Sequence, residues 1–374
     1  MNILFPFVGD SIGGSHISTL ELYLSLLDKD ISAVIVLHRG DGPLSQYLRN
    51  RNISFFILET SILAGTAPGK ISIFIGILTN FFRFGSFIKK NEIDIVHGND
   101  LRINLSWSLP AKIFSKGFVW HQRTLLSTSK SWLLINYLCD YFVAISDVVM
   151  QSSPKNISSD KKKIVYNPFN TTSLKDKKAV RNYIFKKYNI PDNCFLLGCV
   201  GRIVDYKNID FLIKNIYDIN RKINKNICLI IVGTGKEEYV DELKTYIRNL
   251  DIGSYIIFTG FINNPSKIVA SLDLLVASSI VDAFGRTIVE AMLQNTLVLA
   301  TRFGGHVDII NDNVNGVLYN PTIKDDFISK ISAIVDNENT KMLTDNAYQF
   351  AKINFSSKQH LINILPIYYN LLKS

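Results

Sequence analysis

The chain has 374 residues, 47% of them hydrophobic, and a net charge of +9 from 41 Lys and Arg against 32 Asp and Glu. That length exceeds one ordinary core and implies two domains, while no charge-free apolar run reaches the roughly 18 residues that a membrane span needs. The charge excess suits nucleic acid, an anionic membrane surface or a phosphorylated substrate; no nucleic-acid motif accompanies it, which sets nucleic acid aside. Met1-Asn2 runs straight into the apolar residues 3–8, without the basic start or cleavage site of a signal peptide. The four cysteines, Cys139, Cys194, Cys199 and Cys228, form no C-x-x-C pair and read as buried, reduced thiols of a cytosolic protein, with no zinc.

Residues 3–8 are the first expected strand, with Pro6 a poor fit to a central position. Gly9-Asp10-Ser11-Ile12-Gly13-Gly14-Ser15-His16 follows, then a helix with Leu20, Leu24 and Leu27 on one face. Gly13-Gly14 at a helix start lets backbone approach a ligand closely, or is simply a flexible turn. Further short apolar runs at 32–37, 54–58, 93–97, 118–121 and 141–145 alternate with helix-length segments, the pattern of a parallel α/β domain. Residues 70–90 are apolar, aromatic and flanked by Lys and Arg. They suit a helix packed on the sheet, with Phe81, Phe82, Phe84 and Phe87 available for the anionic surface of a membrane interface. His97 and His121 end expected strands, where such a sheet presents its ligand face. His121 is the stronger functional candidate because Gln122, Arg123 and Thr124 make a polar loop beside it.

A Ser-, Lys- and Pro-rich stretch at 151–163 and a last strand at 164–168 lead to a hinge near 168–172. The βα pattern then restarts, with strands at 195–200, 228–232, 255–259, 274–277 and 297–300 and helices at 209–219, 239–250, 265–272 and 307–310. Glycine turns fall at the strand ends. Gly201-Arg202, with Lys207 five positions on, places two cations where a diphosphate could be neutralised. Gly233-Thr234-Gly235-Lys236 lacks the third glycine of a dinucleotide fingerprint and the ending of a P-loop. Gly304-Gly305, entering a helix, can form an anion nest. Between these lies Asp282-Ala283-Phe284-Gly285-Arg286-Thr287-Ile288-Val289-Glu290, two carboxylates flanking a glycine turn where a strand hands over to a helix. Helix N-termini there offer unpaired N–H groups and a positive dipole end. Arg286, Glu290 and Gln294 also have the i, i+4, i+8 spacing of a plain solvated helix face.

Taken together, these residues resemble the retaining glycosyltransferases of family 4 (glycosyl transferases group 1). The resemblance runs through Val200-Gly201-Arg202 with Lys207, Val232-Gly233-Thr234-Gly235, Phe258-Thr259-Gly260-Phe261, Asp282-x-Phe284-Gly285-Arg286 with Glu290-Ala291-Met292, Gly304-Gly305 with Asp308-Ile309-Ile310, and Gly316. The N-terminal half carries it less tightly, through Gly13-Gly14, the His121 loop, residues 144–147 and Val165-Tyr166-Asn167.

The resemblance implies an α/β chain of the GT-B fold, two Rossmann-like βαβ domains facing a central cleft. An acceptor domain would occupy 1–169, a donor domain 170–355, and a helix in 356–374 would return to the first domain. It implies an EC 2.4 hexosyltransferase-type enzyme that needs no cofactor and no metal beyond its nucleotide-sugar co-substrate. Gly13 and Gly14 would face the donor phosphate, Arg202 and Lys207 would hold the diphosphate, and Gly233 would line the donor site. Asp282 would contact donor-sugar hydroxyls; Phe284, Gly285, Arg286 and Thr287 would present the turn to sugar or phosphate, and Glu290 would hold the ribose. His121 would lie near the transferred sugar. The catalytic set is then His121, Arg202, Lys207 and Asp282, with no residue identified as a nucleophile. A basic, aromatic N-terminal domain implies a saccharide or lipid-linked acceptor at the cytoplasmic membrane face, in bacterial O-antigen, lipopolysaccharide or other surface polysaccharide synthesis. A GT-B sugar-nucleotide epimerase and a non-catalytic nucleotide-sugar-binding partner are the alternatives. Asp282 stands where the family more often has Glu.

Overall fold

The computed structural model describes residues 1–60, 70–99, 101–126, 133–174, 176–223, 225–337 and 340–373. Asp100 and, within the apolar stretch 70–90, the side chains of residues 70, 72–74 and 77 lie outside the described residues. The chain divides into two compact units: Met1–Asn170 with Phe355–Ser374, and Thr171–Asn354.

The first unit is built on a seven-stranded sheet: β1 (Asn2–Phe7), β2 (Ser32–Leu37), β3 (Phe56–Ile57), β4 (Ile95–Gly98), β5 (Gly117–Gln122), β6 (Tyr141–Ala144) and β7 (Lys162–Ile164), in the order β3-β2-β1-β4-β5-β6-β7. Every pairing is parallel. Pro6 does sit in a central strand. Phe7 O accepts from His38 N on the β2 side. Alternate residues of a parallel strand bond to opposite neighbours, so Pro6's missing N–H faces β4, where pairing ends at Leu4↔Val96. The last strand comes earlier than expected, at Lys162–Ile164, because residues 165–168 run beyond the ladder.

The helix Gly14–Leu27 buries Leu20, Leu22, Tyr23 and Leu26, whereas Leu24 and Leu27 are exposed. The face towards the sheet is therefore rotated from the expected one. In the helix Lys70–Lys90, Phe84 is fully buried and stacks flat on Trp107, with ring centroids 4.2 Å apart. Phe87 packs edge-on against Phe56. Among its described side chains, the exposed apolar ones are Ile71, Ile75, Leu78 and Phe82, which fall on one stripe. The terminal helix Ser357–Lys373 completes this unit's core, placing Leu361, Ile364, Ile367 and Tyr368 against Ile3, Phe5 and Ile95.

The second unit holds six strands: β8 (Phe195–Val200), β9 (Ile227–Val232), β10 (Ile256–Gly260), β11 (Leu274–Ala277), β12 (Leu297–Thr301) and β13 (Val317–Tyr319), in the order β10-β9-β8-β11-β12-β13 and again all parallel. β9 and β12 are buried along their whole length, as expected of strands covered on both faces. Cys194 and Cys228 pair as a disulfide with Cα atoms 6.3 Å apart, against the expectation of four reduced thiols; the spacing is that of a bridged pair on neighbouring segments. Cys139 and Cys199 are free and buried. Among the described residues, no helix is long and apolar enough to cross a membrane.

Candidate active site

In each sheet the strand order reverses once, between β1 and β4 in the first unit and between β8 and β11 in the second. Loops leaving the carboxyl ends of the two strands at such a point diverge and leave a crevice. In the second unit those loops are 201–208, after β8, and 278–285, after β11. They are laced together: Ser278 Oγ donates to Lys207 O at 2.6 Å, and Ile280 N donates to Tyr206 O at 3.1 Å. This brings Lys207 Nζ to 2.7 Å from Asp282 Oδ2. The two residues are 75 positions apart in sequence. Arg202 is exposed on the same loop and donates to the Tyr206 hydroxyl at 2.8 Å. Thus the lysine of the expected phosphate pair already carries a carboxylate, and the arginine is held by a tyrosine that the sequence did not single out.

Asp282 is fixed on several sides. Phe284 N donates to its Oδ1 at 3.3 Å, and Gly305 N donates to its backbone oxygen at 2.9 Å. His306 Nε2 lies 3.8 Å from Oδ2. Burial alone would push this carboxyl up; His306 and Lys207 outweigh it and hold the group well below the usual carboxylate range. Gly304 has φ +61, and a Cβ there would lie 2.3 Å from Asp282 O, so the glycine permits this close approach. The Gly304-Gly305 turn therefore braces Asp282, and the Gly305 N–H is not available as half of an anion nest.

Gly285, with φ +103, caps the helix Arg286–Leu293. Its missing side chain leaves room for the His306 ring, which would be 3.0 Å from a Cβ. Phe284 is buried and Thr287 half-buried. Arg286 Nη2 and Glu290 Oε1 are 3.3 Å apart, the i, i+4 pair of a helix face. Yet Gln294 is no solvated residue: it is buried, accepts from Leu174 N and donates to Thr172 O. Glu290 is half-buried, with 37% of its side chain accessible. Burial raises its carboxyl above the usual range, with Arg286 opposing. Gly233, in the turn after β9, donates its N–H to Gly260 O at 2.9 Å.

In the first unit, Gly13 and Gly14 are exposed at the start of the helix Gly14–Leu27, and Gly13 N donates to His16 Nδ1 at 3.2 Å. The preceding loop is held by a two-pronged ion pair that sequence reading missed, Arg102 to Asp10 at 2.7 and 3.1 Å. His121 is fully buried in a polar cluster. Its Nδ1 lies 3.0 Å from His97 Nε2 and 3.3 Å from Arg123 Nη2, and its ring stacks on His360. Guanidinium only donates, so His121 Nδ1 is an acceptor; His97 Nε2 then donates to it, and the Tyr368 hydroxyl donates to His97 Nδ1 at 2.6 Å. Arg123 also donates to Asn99 Oδ1 at 3.0 Å and to Asn167 Oδ1. Burial, then the Arg123 charge, keeps His97 and His121 well below the usual histidine range.

Among the described residues, no three His, Cys, Asp or Glu side chains are grouped to hold a metal ion. The tripeptide Asp28-Lys29-Asp30 has an Asp-x-Asp spelling, but it lies exposed in the turn before β2, at the edge of the sheet away from the strands' carboxyl ends.

Residues 180–350 match the family model of glycosyl transferases group 1. An uncharacterised glycosyltransferase of Methanocaldococcus jannaschii is 26% identical over 76% of this chain and 70% of its own length. The O-antigen chain mannosyltransferase RfbU of Salmonella typhimurium is 28% identical over 60% of this chain and 58% of its own. Anabaena HepE, crystallised with UDP and glucose, superposes with a TM-score of 0.81 at 21% identity, covering 98% of both chains. The two parallel, Rossmann-like units have the GT-B fold. With the group 1 match lying inside its second unit, the chain is a glycosyltransferase.

Proposed function

We propose that this protein is a retaining family 4 hexosyltransferase that moves a sugar from a nucleotide-sugar to a saccharide acceptor without a metal ion. The observation that carries the reading is the Lys207–Asp282 pair at the β8/β11 switch point, with Glu290 on the helix that follows. Arg202 and Lys207 stabilise the diphosphate as it departs, which is electrostatic catalysis by preorganised charge. Asp282 and the turn from Phe284 to Thr287 hold the transferred sugar, Glu290 holds the ribose hydroxyls, and Gly233 lines the donor site. Gly13 and Gly14 present the first unit's helix start to phosphate. His121, fully enclosed, acts through Arg123, whose Nη2 it anchors.

The acceptor is a lipid-linked saccharide at the inner face of the cytoplasmic membrane, in O-antigen or related surface polysaccharide synthesis. The Salmonella relative's name supports this pathway class. The exposed stripe Ile71, Ile75, Leu78 and Phe82, with Lys89 and Lys90 exposed at the end of the same helix, supports contact with anionic lipid.

The test is incubation of the purified protein with UDP-glucose, UDP-galactose, UDP-N-acetylglucosamine and GDP-mannose, with and without EDTA. Thermal stabilisation by one donor is expected, together with acceptor-dependent release of nucleoside diphosphate that EDTA leaves intact. Activity lost in EDTA and restored by Mn²⁺ overturns the metal-free step, and a product of inverted anomeric configuration overturns retention. Conversion of the donor with no acceptor present identifies an epimerase instead.

A further inference from the structure

The hydrogen-bond inventory around His306 is unusually restrictive. His306 is fully buried at the start of the short helix His306–Ile309, directly after the Gly304-Gly305 turn that braces Asp282. The Thr301 hydroxyl donates its single hydrogen to Ser279 O, so towards His306 it can only accept. His306 Nδ1, 3.0 Å from Thr301 Oγ1 and 3.3 Å from Thr301 O, must therefore carry hydrogen. All remaining capacity of the ring is at Nε2. That atom is buried with no hydrogen-bond partner, and Asp282 Oδ2 stands 3.8 Å in front of it, beyond a hydrogen bond and within ion-pair reach. The ring's one open nitrogen is thus turned towards the carboxylate. Lys207 approaches the same oxygen at 2.7 Å.

We infer that His306 is a positioning residue for Asp282: locked by Thr301, it turns Nε2 to the carboxylate and, with Lys207, holds it in the orientation that receives a donor-sugar hydroxyl. The role rests on the sugar-holding function proposed above for Asp282, but the His306–Asp282 coupling itself is a property of the protein without ligand. Three features serve it. Thr301 sets the ring's tautomer, Gly285 leaves room for the ring, and the Gly304-Gly305 backbone brings its Cα beside the Asp282 loop. A buried imidazole held only for packing would need none of the first and would be replaceable by an apolar side chain.

Two experiments test this. The first is ¹H–¹⁵N spectroscopy of the histidine rings, with the His306 signals assigned by their loss in His306→Gln. Hydrogen on Nδ1 is expected, with the Nε2 signal shifting in Asp282→Asn; a ring signal unmoved by Asp282→Asn overturns the inference without reference to activity. The second is a double-mutant cycle with the donor that stabilises the wild type in the panel above. His306→Leu is expected to lower kcat about 10-fold while leaving the Kd for UDP or GDP, which lack the sugar, unchanged. His306→Gln, which keeps one donor, recovers part of the rate. In an Asp282→Asn background, His306→Leu has no further effect. Losses that multiply, or an equal loss of nucleoside diphosphate affinity, overturn the positioning role. If no sugar nucleotide binds the wild type, the functional reading falls, while the ring spectra still decide the coupling.

Discussion

Glu290 hangs from the helix Arg286–Leu293 with its carboxyl raised by burial and only partly eased by Arg286. A ribose presents two hydroxyl donors, and an ionised carboxylate accepts both, each charge-assisted bond contributing about 1.5–3 kcal/mol. As pH falls through the raised value, Glu290 takes a proton and loses acceptor capacity. Donor KM should therefore climb on acidification, and at a higher pH than an ordinary carboxylate would give. Glu290→Gln should raise the donor KM about 10- to 100-fold and make it flat over that range; steady-state kinetics at a series of pH values measures both. A variant whose KM matches the wild type removes the ribose assignment. The residues that sequence reading passed over here share a trait. Ser278 and His306 meet Lys207 and Asp282 across loops tens of positions apart, and no spacing rule marks such a contact before the switch point brings the loops together.

On the helix Lys70–Lys90, Ile71, Ile75, Leu78 and Phe82 are exposed while Phe84 and Ile88 are buried. Removing an exposed apolar side chain from water contributes about 1.5–3 kcal/mol, so two of them carry much of a reversible membrane affinity. Leu78→Asp with Phe82→Asp should abolish co-sedimentation with phosphatidylglycerol vesicles while leaving the melting temperature within a few degrees of wild type. Unchanged co-sedimentation would exclude this stripe. The sequence made this element legible as a helix but not its orientation. Apolar residues surround it on nearly all sides, so periodicity could not choose between the arc stacked on Trp107 and the arc left outward. The same ambiguity rotated the first helix, where Leu24 rather than Tyr23 seemed the inward residue. Strands were read more securely, because a short run buried on both faces has no face to mistake: residues 195–200 and 274–277 were placed to the residue.

At the scale of the molecule, the histidines are unevenly shared: His16, His38, His97, His121 and His360 belong to the first unit and His306 to the second. Burial is the main cause that holds His38 down to about 4 and His360 to about 3, and it keeps His97 and His121 well below the usual range. In the unfolded chain these rings take protons near pH 6.5. Below that pH the unfolded state binds more protons than the folded one, so stability falls as pH falls, by about 1.4 kcal/mol per pH unit for each such ring. Calorimetry between pH 7 and 4 should show the first unit's transition moving to lower temperature ahead of the second's; a first transition that holds its temperature to pH 5 would contradict this. The cluster's assembly also has a temporal side. Tyr368 and His360, which bond His97 and Tyr166, are made only after the whole second unit, as are Leu361, Ile364 and Ile367 of the first unit's core. The first unit lacks part of its core until residues 355–373 have been made, whereas the second unit has all its strands beforehand. During translation the usual N-to-C order of domain folding is thus reversed, and a nascent chain stalled short of residue 355 carries a finished second unit behind an open first one.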